Sequence, residues 1–298
     1  MKYSLFPETK VKVSSIGLGT WALGGENWGG ARESESLEAV AKAIELGMNF
    51  IDLAPFYGDG LAETIVGKAI RGQRDKVFIA TKCGIIRSNS RVSVCLSPAS
   101  IAREIDLSRR RLGVDVIDLY QCHWPDDETP VERTMEALTH WQNAGAIRHI
   151  GVSNFDVDLL KRACVVAPVR TLQIQYSLLE RSPEKELLPF CIQNNIGVIV
   201  YGAMAGGFLT GKYHKKPQFE KSDARHMFYK FYEDKKFNNV VKIVEDMKKV
   251  GRPLNQVAIN WARGQQGVMT VLAGCRRPAQ VVDNAAASDW DLEWTFNN

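Results

Sequence analysis

The chain has no C-x-x-C pair, no H-x-x-x-H spacing and no apolar run long enough to span a bilayer. Its six cysteines, Cys83, Cys95, Cys122, Cys164, Cys191 and Cys275, are scattered through 298 residues. That pattern argues against a disulfide framework or zinc ribbon and for small thiols kept reduced, in a cytoplasmic setting. Cys122 and His123 are adjacent potential ligands, but neighbouring residues of a strand point to opposite faces, so no metal site is expected. A membrane span needs roughly 20 consecutive apolar residues, and none is present, so no membrane partner is expected. Met1 to Val13 is short, polar and alternating, unlike a signal or transit peptide, and is expected to form an N-terminal hairpin across the bottom of the fold. There is no Pro/Ser/Gly linker and no long charge block, so residues 1–298 are expected to form one domain. The net charge of +4 is mild and dispersed, with only short Lys215–Lys216 and Lys235–Lys236 pairs, which gives no nucleic-acid footprint. Nothing in the sequence specifies an oligomeric state.

The chain does have a series of short apolar runs separated by helical patterns. Strands are expected at Ile16 to Trp21, Asn49 to Leu53, Val77 to Lys82, Ile117 to His123, Ile150 to Ser153, Leu172 to Tyr176, Val198 to Tyr201 and Val268 to Leu272. These runs are rich in Ile, Val and Leu, the composition of strands covered on both faces. Between them, Leu37, Val40, Ala41 and Ile44 follow helical spacing, with Gly47 as the stop. Ser97–Pro98 reads as an N-cap followed by proline at the first helical position, and Gly113 as the end of that helix. Asp156, Pro183, Pro253 and Pro278 open later helices. About eight strands alternating with helices predict a single (β/α)8 TIM barrel, an α/β fold with a parallel sheet. Lys212 to Lys236, polar, basic and aromatic, is expected as a long loop with some helix between strands 7 and 8. Gly17-Leu18-Gly19-Thr20-Trp21-Ala22 matches the spacing of a dinucleotide fingerprint, but the glycine-rich stretch that follows cannot open the helix that fingerprint requires.

Asp52, Tyr57, Lys82 and His123 each fall at or just past the end of a predicted strand. Barrel enzymes carry their chemistry at the C-terminal ends of strands. A carboxylate, a phenol, an amine and an imidazole arriving on successive strands are the parts of a proton-transfer site. Trp21 and Trp28, in a glycine-rich loop, and Trp124, directly after His123, are candidate substrate walls together with Phe56.

These stretches carry a resemblance. Asn49 to Gly58, Ile79 to Lys82, Asp115 to Pro125, Gly145 to Phe155 and Phe208 to Lys212 resemble the aldo-keto reductase superfamily, with similarity from about Leu5 to Trp290. The resemblance implies a (β/α)8 barrel that binds a nicotinamide dinucleotide, usually NADP(H), without a Rossmann domain. It implies hydride transfer between nicotinamide and a small-molecule carbonyl or alcohol: an aldehyde, ketone, sugar or polyol.

In that reading Tyr57 is the general acid/base, Lys82 is expected to lower the phenol pKa, Asp52 holds the ammonium and His123 orients the carbonyl. Ser153, Asn154 and Gln175 match groups that bind the carboxamide, and Tyr201 matches the aromatic that stacks on nicotinamide. Leu209, Gly211 and Lys212 match the pyrophosphate segment. Gly274, Arg276, Gln280 and Asn284 match the adenosine end. Arg276 or Arg277 could fork onto a 2′-phosphate, which favours NADP(H), with NAD(H) as the alternative. Two stretches depart from the commoner pattern: Ala273 to Arg277, where many relatives carry a Lys-Ser type motif, and Tyr201-Gly202-Ala203, which replaces Tyr-Ser-Pro. The second functional reading is a cofactor-binding, redox-sensing regulatory subunit with slow turnover, like a channel β-subunit.

Overall fold

The computed structural model describes residues 1–25, 30, 32–88, 91–221, 223–229 and 231–296. The first two strands, β1 (Tyr3–Leu5) and β2 (Lys12–Ser14), form an antiparallel hairpin. Eight parallel strands then close into a barrel: β3 (Ile16–Gly19), β4 (Phe50–Asp52), β5 (Phe78–Cys83), β8 (Ile117–Cys122), β9 (Ile147–Ser153), β10 (Val169–Gln175), β11 (Gly197–Tyr201) and β12 (Val268–Gly274). The seam is the β12–β3 pair, where Val271 to Gly274 lie beside Ile16 to Gly19 in register. All eight predicted strands are present, with ends that shift by a few residues. Two strands the sequence did not announce, β6 (Ile85–Ser88) and β7 (Arg91–Val94), form a second hairpin after β5. Their mixture of Ile and Val with Arg and Ser lacks the apolar continuity of the barrel strands.

The period of two along each barrel strand separates two cores. Phe50, Phe78, Ala80 and Leu119 point into the barrel, where they pack with Ile199, Met269 and Leu272. Ile51, Ile79, Tyr120 and Cys122, their chain neighbours, face the surrounding helices. The N-terminal hairpin plugs the bottom through Phe6, whose ring lies 4.9 Å from Phe78 and 4.6 Å from His149.

Helix punctuation follows the predicted chemistry. The Ser97 side chain accepts from Ser100 N–H at the head of the Pro98–Leu112 helix, and Gly113 closes it in the left-handed conformation. Asp156 caps the Val157–Val166 helix by accepting from Leu159 N–H at 2.8 Å. The Glu33–Glu45 helix differs from expectation in its buried face, which is Ser36, Ala39, Val40 and Ala43, with Ala41 exposed. The smaller residues face inward because this helix packs closely against both Leu61–Ala69 and Pro278–Ala285. The segment between β11 and β12 contains the short Ala224–Phe228 helix and then the Asp234–Lys248 and Leu254–Arg263 helices.

Candidate active site

The strand alternation that puts Phe50 and Phe78 in the barrel also turns Asp52, two residues on and level with Ala80, and Lys82, two residues beyond Ala80, to the interior at its upper end. Lys82 is fully buried. Its ammonium donates to Asp52 Oδ2 at 2.6 Å, to the Leu53 carbonyl at 2.9 Å and to the Tyr57 phenol oxygen at 3.1 Å. An ammonium has three donors, so all are in use. Asp52 is held in turn by Gln173, which donates from Nε2 to Oδ1 at 2.7 Å, with the Gln121 amide at 3.4 Å from the same oxygen. Gln121 and Gln173 were not singled out from the sequence. The available signal was their spacing, since each lies two residues before a predicted site residue, His123 or Gln175, and so on the same face of its strand.

Tyr57 lies beyond β4 on a turn that passes against the loop after β3. A Cβ at Gly58 would stand 2.5 Å from the Gly24 carbonyl oxygen, so this close approach requires glycine. Thr20 ties the two loops together, donating from Oγ1 to the Asp52 carbonyl at 2.7 Å. His123 meets the Tyr57 ring edge-on, with centroids 5.8 Å apart. Asn154 adopts a left-handed φ of 61°, which asparagine tolerates, and donates from Nδ2 to the His123 carbonyl at 3.0 Å. Its Oδ1 accepts from the Tyr201 hydroxyl at 2.8 Å.

Burial, and secondarily the Asp52 carboxylate, pushes the Tyr57 phenol well above its ordinary value of 10.0. This corrects the expectation that Lys82 would draw the phenol down. The ammonium is paired at 2.6 Å with Asp52, so Tyr57 faces a nearly neutral ion pair within a buried site. Lys82 itself is lowered by burial, with Asp52 pulling the other way. Burial, then Lys82, holds His123 well below 6.5, so its imidazole is neutral at pH 7. The arrangement therefore offers a protonated phenol and a neutral imidazole side by side.

Both line a cavity of about 640 Å³ that extends to Gly274, Arg276, Gln280, Asp283 and Asn284. Of the predicted residues, Ser153, Asn154, Tyr201, Lys212, Gly274, Arg276, Gln280 and Asn284 line this cavity, as do Trp21, Phe56 and Trp124. Asp52 also reaches it, and Lys82 lies beneath. Gln175, Leu209 and Gly211 are not among the lining residues: Leu209 is buried in the outer core, and Gln175 lies behind Gly202. Trp28 lies outside the described residues. At the far end Asn284 is buried and accepts from Asn255 Nδ2 at 3.0 Å, while Gln280 accepts from the Arg276 backbone N–H at 2.9 Å. A Cβ at Gly274 would meet nothing within 4 Å, which leaves the backbone there open to a ligand. Among the described residues no cluster of three or more His, Cys, Asp or Glu side chains could hold a metal, and no helix is long and apolar enough to cross a membrane.

The aldo/keto reductase family profile matches residues 15–294. The chain belongs to the aldo-keto reductase family. It is 38% identical to an aldo-keto reductase of Bacillus subtilis (strain 168), over 98% of this chain and 90% of that one. It is 34% identical to the NADH-specific methylglyoxal reductase of Escherichia coli (strain K12), over 95% and 92%. Among solved structures it resembles the glycerol dehydrogenase of Gluconobacter oxydans, with 35% identity, a TM-score of 0.89 and coverage of 97% and 91%. It also resembles an aldo/keto reductase from Klebsiella pneumoniae in complex with NADP and acetate, with 29% identity, a TM-score of 0.75 and coverage of 98% and 92%. Family membership makes the chain an oxidoreductase of carbonyl compounds.

Proposed function

We propose that the protein is an NADP(H)-dependent aldo-keto reductase that transfers hydride between nicotinamide and a small aldehyde, ketone or alcohol, with Tyr57 as general acid/base. The observation that carries this reading is the direction of the hydrogen bonds at Tyr57. Its oxygen already accepts from Lys82, so its own proton is left to point into the cavity. A bound nicotinamide would supply the hydride; the chain supplies position and the proton.

Tyr57 would donate that proton to the carbonyl oxygen as charge develops there. His123, neutral and adjacent, would hydrogen-bond the same oxygen and fix which face of the carbonyl is presented. A phenol held well above 10 keeps its proton at neutral pH, which suits the reducing direction; alcohol oxidation would need the same proton removed.

The cavity fits a dinucleotide in its chemistry. Asn154 and Ser153 carry amide and hydroxyl groups near the tetrad, and Tyr201 presents a ring beside them. Lys212 and Arg276 supply cations, and Gly274 leaves the backbone accessible. Arg276 at the adenosine end favours NADP(H), like the Klebsiella pneumoniae complex; the NADH-specific Escherichia coli relative keeps NAD(H) as the alternative. A cytoplasmic, reducing setting accords with six free cysteines among the described residues.

The test is a fluorescence titration with NADPH and NADH, followed by turnover with a panel of aldehydes and ketones. Tyr57→Phe should lower turnover about 10²–10⁴-fold, the range for a lost general acid, with the NADPH dissociation constant nearly unchanged. Near wild-type turnover in that variant would remove Tyr57 from the mechanism.

A further inference from the structure

The cavity is chemically lopsided. Among the described residues its cations, Lys212, Arg225 and Arg276, all come from the chain beyond β11. The loops after β3, β4, β5 and β8 contribute Trp21, Phe56, Ile85 and Trp124, none of them charged. One further ring completes this apolar side from the opposite direction. Phe228, at the end of the short Ala224–Phe228 helix, meets Trp21 edge-on with centroids 5.6 Å apart. Trp21 in turn lies nearly parallel to Tyr57, at 6.0 Å and 22°. Phe228 is 40% exposed, and it lines the concavity in which Tyr57 and His123 stand.

Its position is built rather than incidental. The next residue, Tyr229, is buried, and its ring fits a slot made by two glycines. A Cβ at Gly202 would stand 3.0 Å from the Tyr229 hydroxyl, and one at Gly206 would stand 2.8 Å from its ring. Both glycines have left-handed φ, 72° and 65°, so side chains are disfavoured there twice over. The departure from Tyr-Ser-Pro at residues 201–203 thus has a structural counterpart: Gly202 makes room for Tyr229. Arg225, one turn earlier, pairs with Asp223 and donates to the Tyr213 hydroxyl at 2.8 Å, pinning the other end.

We propose that Phe228 is a specificity-determining residue, forming with Trp21 an aromatic corner over Tyr57 that selects flat, conjugated or aromatic carbonyls over small polyols and their aldehydes. The proposal rests on the reductase reading given above. A planar ring attached to the reacting carbonyl can meet the open part of Phe228 and the Trp21 wall in edge-to-face or offset geometry. A polyol in the same place would set the hydroxyls that do not reach Tyr57 or His123 against the rings of Trp21 and Phe228.

The experiment compares kcat and KM for benzaldehyde, with propanal and glyceraldehyde as small aliphatic references, in the wild type, Phe228→Ala and Phe228→Leu, each with its NADPH dissociation constant and far-UV circular dichroism. Phe228→Ala should lower kcat/KM for benzaldehyde roughly ten-fold, mainly through KM, the scale of one apolar wall in a pocket. Both aliphatic references should change by less than about three-fold, and NADPH binding should be unaltered. Phe228→Leu, which keeps apolar volume, should recover part of the loss and guards against a local collapse in the alanine variant. Equal losses on all three aldehydes, or no loss on any, would overturn the aromatic corner while leaving the reductase reading intact. A wild type that binds NADPH but reduces no carbonyl would overturn the reductase reading, and the corner with it.

Discussion

The floor of the cavity and its rim are built on opposite principles. The floor is carried by strands: Asp52, Lys82, Gln121 and Gln173 come from β4, β5, β8 and β10, all are nearly or fully buried, and none has an orphaned buried side-chain atom. The rim beyond β11 is carried by loops, with left-handed glycines at 202, 206, 207 and 211, a partly exposed Phe228 and an exposed Lys212. A buried polar layer tolerates no partial occupancy, because each member is the solvent of the next. A rim can change one residue at a time, because water replaces whatever is lost. The difference explains how one proton-transfer chemistry can serve many substrates: the electrostatics are locked in the sheet, and recognition sits where the backbone can be redrawn.

The strongest way to break this contrast is to remove one member of the floor. Lys82→Met would leave the Asp52 carboxylate buried with only amide partners. Unfolding in urea should show a loss of about 3–5 kcal/mol, the usual cost of an abandoned buried charge. The double variant Asp52→Asn/Lys82→Met should regain most of that loss; a small loss in the single variant would mean that water already reaches the floor.

A second test addresses the junction of floor and rim. Glu104, 9% exposed, accepts from Gly84 N–H at 3.1 Å and from Ser100 Oγ at 3.2 Å, and Gly84 separates β5 from the β6–β7 hairpin that carries Ile85 over the cavity. Burial raises its carboxyl to about 7, against the pull of Gly84 and Ser100; nearby Glu63 adds to the rise and Arg103 opposes it, with Cys83 and Tyr120 also close. A raised carboxyl stabilises the fold when protonated. Its contribution is complete below about 4.5 and is lost as pH rises through about 7. The His123 and His149 imidazoles, held low by burial, slope the other way in both proteins, so the Glu104 share is read as a difference: wild type should lose on the order of 2 kcal/mol relative to Glu104→Gln between pH 5 and 8. An unchanged slope in the variant would place the titration elsewhere.

The smallest expected effect is at the rim. Gly202→Ala introduces a Cβ at left-handed φ beside Tyr229, and should cost roughly 1 kcal/mol in thermal stability while leaving Tyr57 chemistry intact. A loss as large as that of Lys82→Met would erase the distinction between the two regions.

The same contrast governs what could be read from the sequence. Barrel strands covered on both faces write themselves as apolar runs, so all eight were legible, and Asp52, Lys82 and His123 stood out as polar residues at their ends. Gln121 and Gln173 did not, because a glutamine inside a strand looks ordinary until its neighbours across the barrel are known. The sign of the Tyr57 shift also escaped, since it depends first on how completely the fold buries the phenol and then on the Asp52 carboxylate paired with Lys82. Phe228 and Tyr229 were inaccessible for a different reason: they reach the cavity only because distant glycines admit them. The β6–β7 hairpin was hidden by its mixed composition.

The seam of the barrel bears on how the chain is made. β3 ends at Gly19 and its partner β12 begins only at Val268, so β3 leaves the ribosome long before the strand that pairs with it. The N-terminus is fastened even later, through Lys2, whose N–H donates to Ser288 Oγ at 2.6 Å and whose ammonium pairs with Asp291. At about 5–20 residues per second, one edge of β3 stays unpaired for on the order of tens of seconds on the ribosome. During that time it is an open template for other strands, so the nascent chain, rather than the finished barrel, is where aggregation would begin.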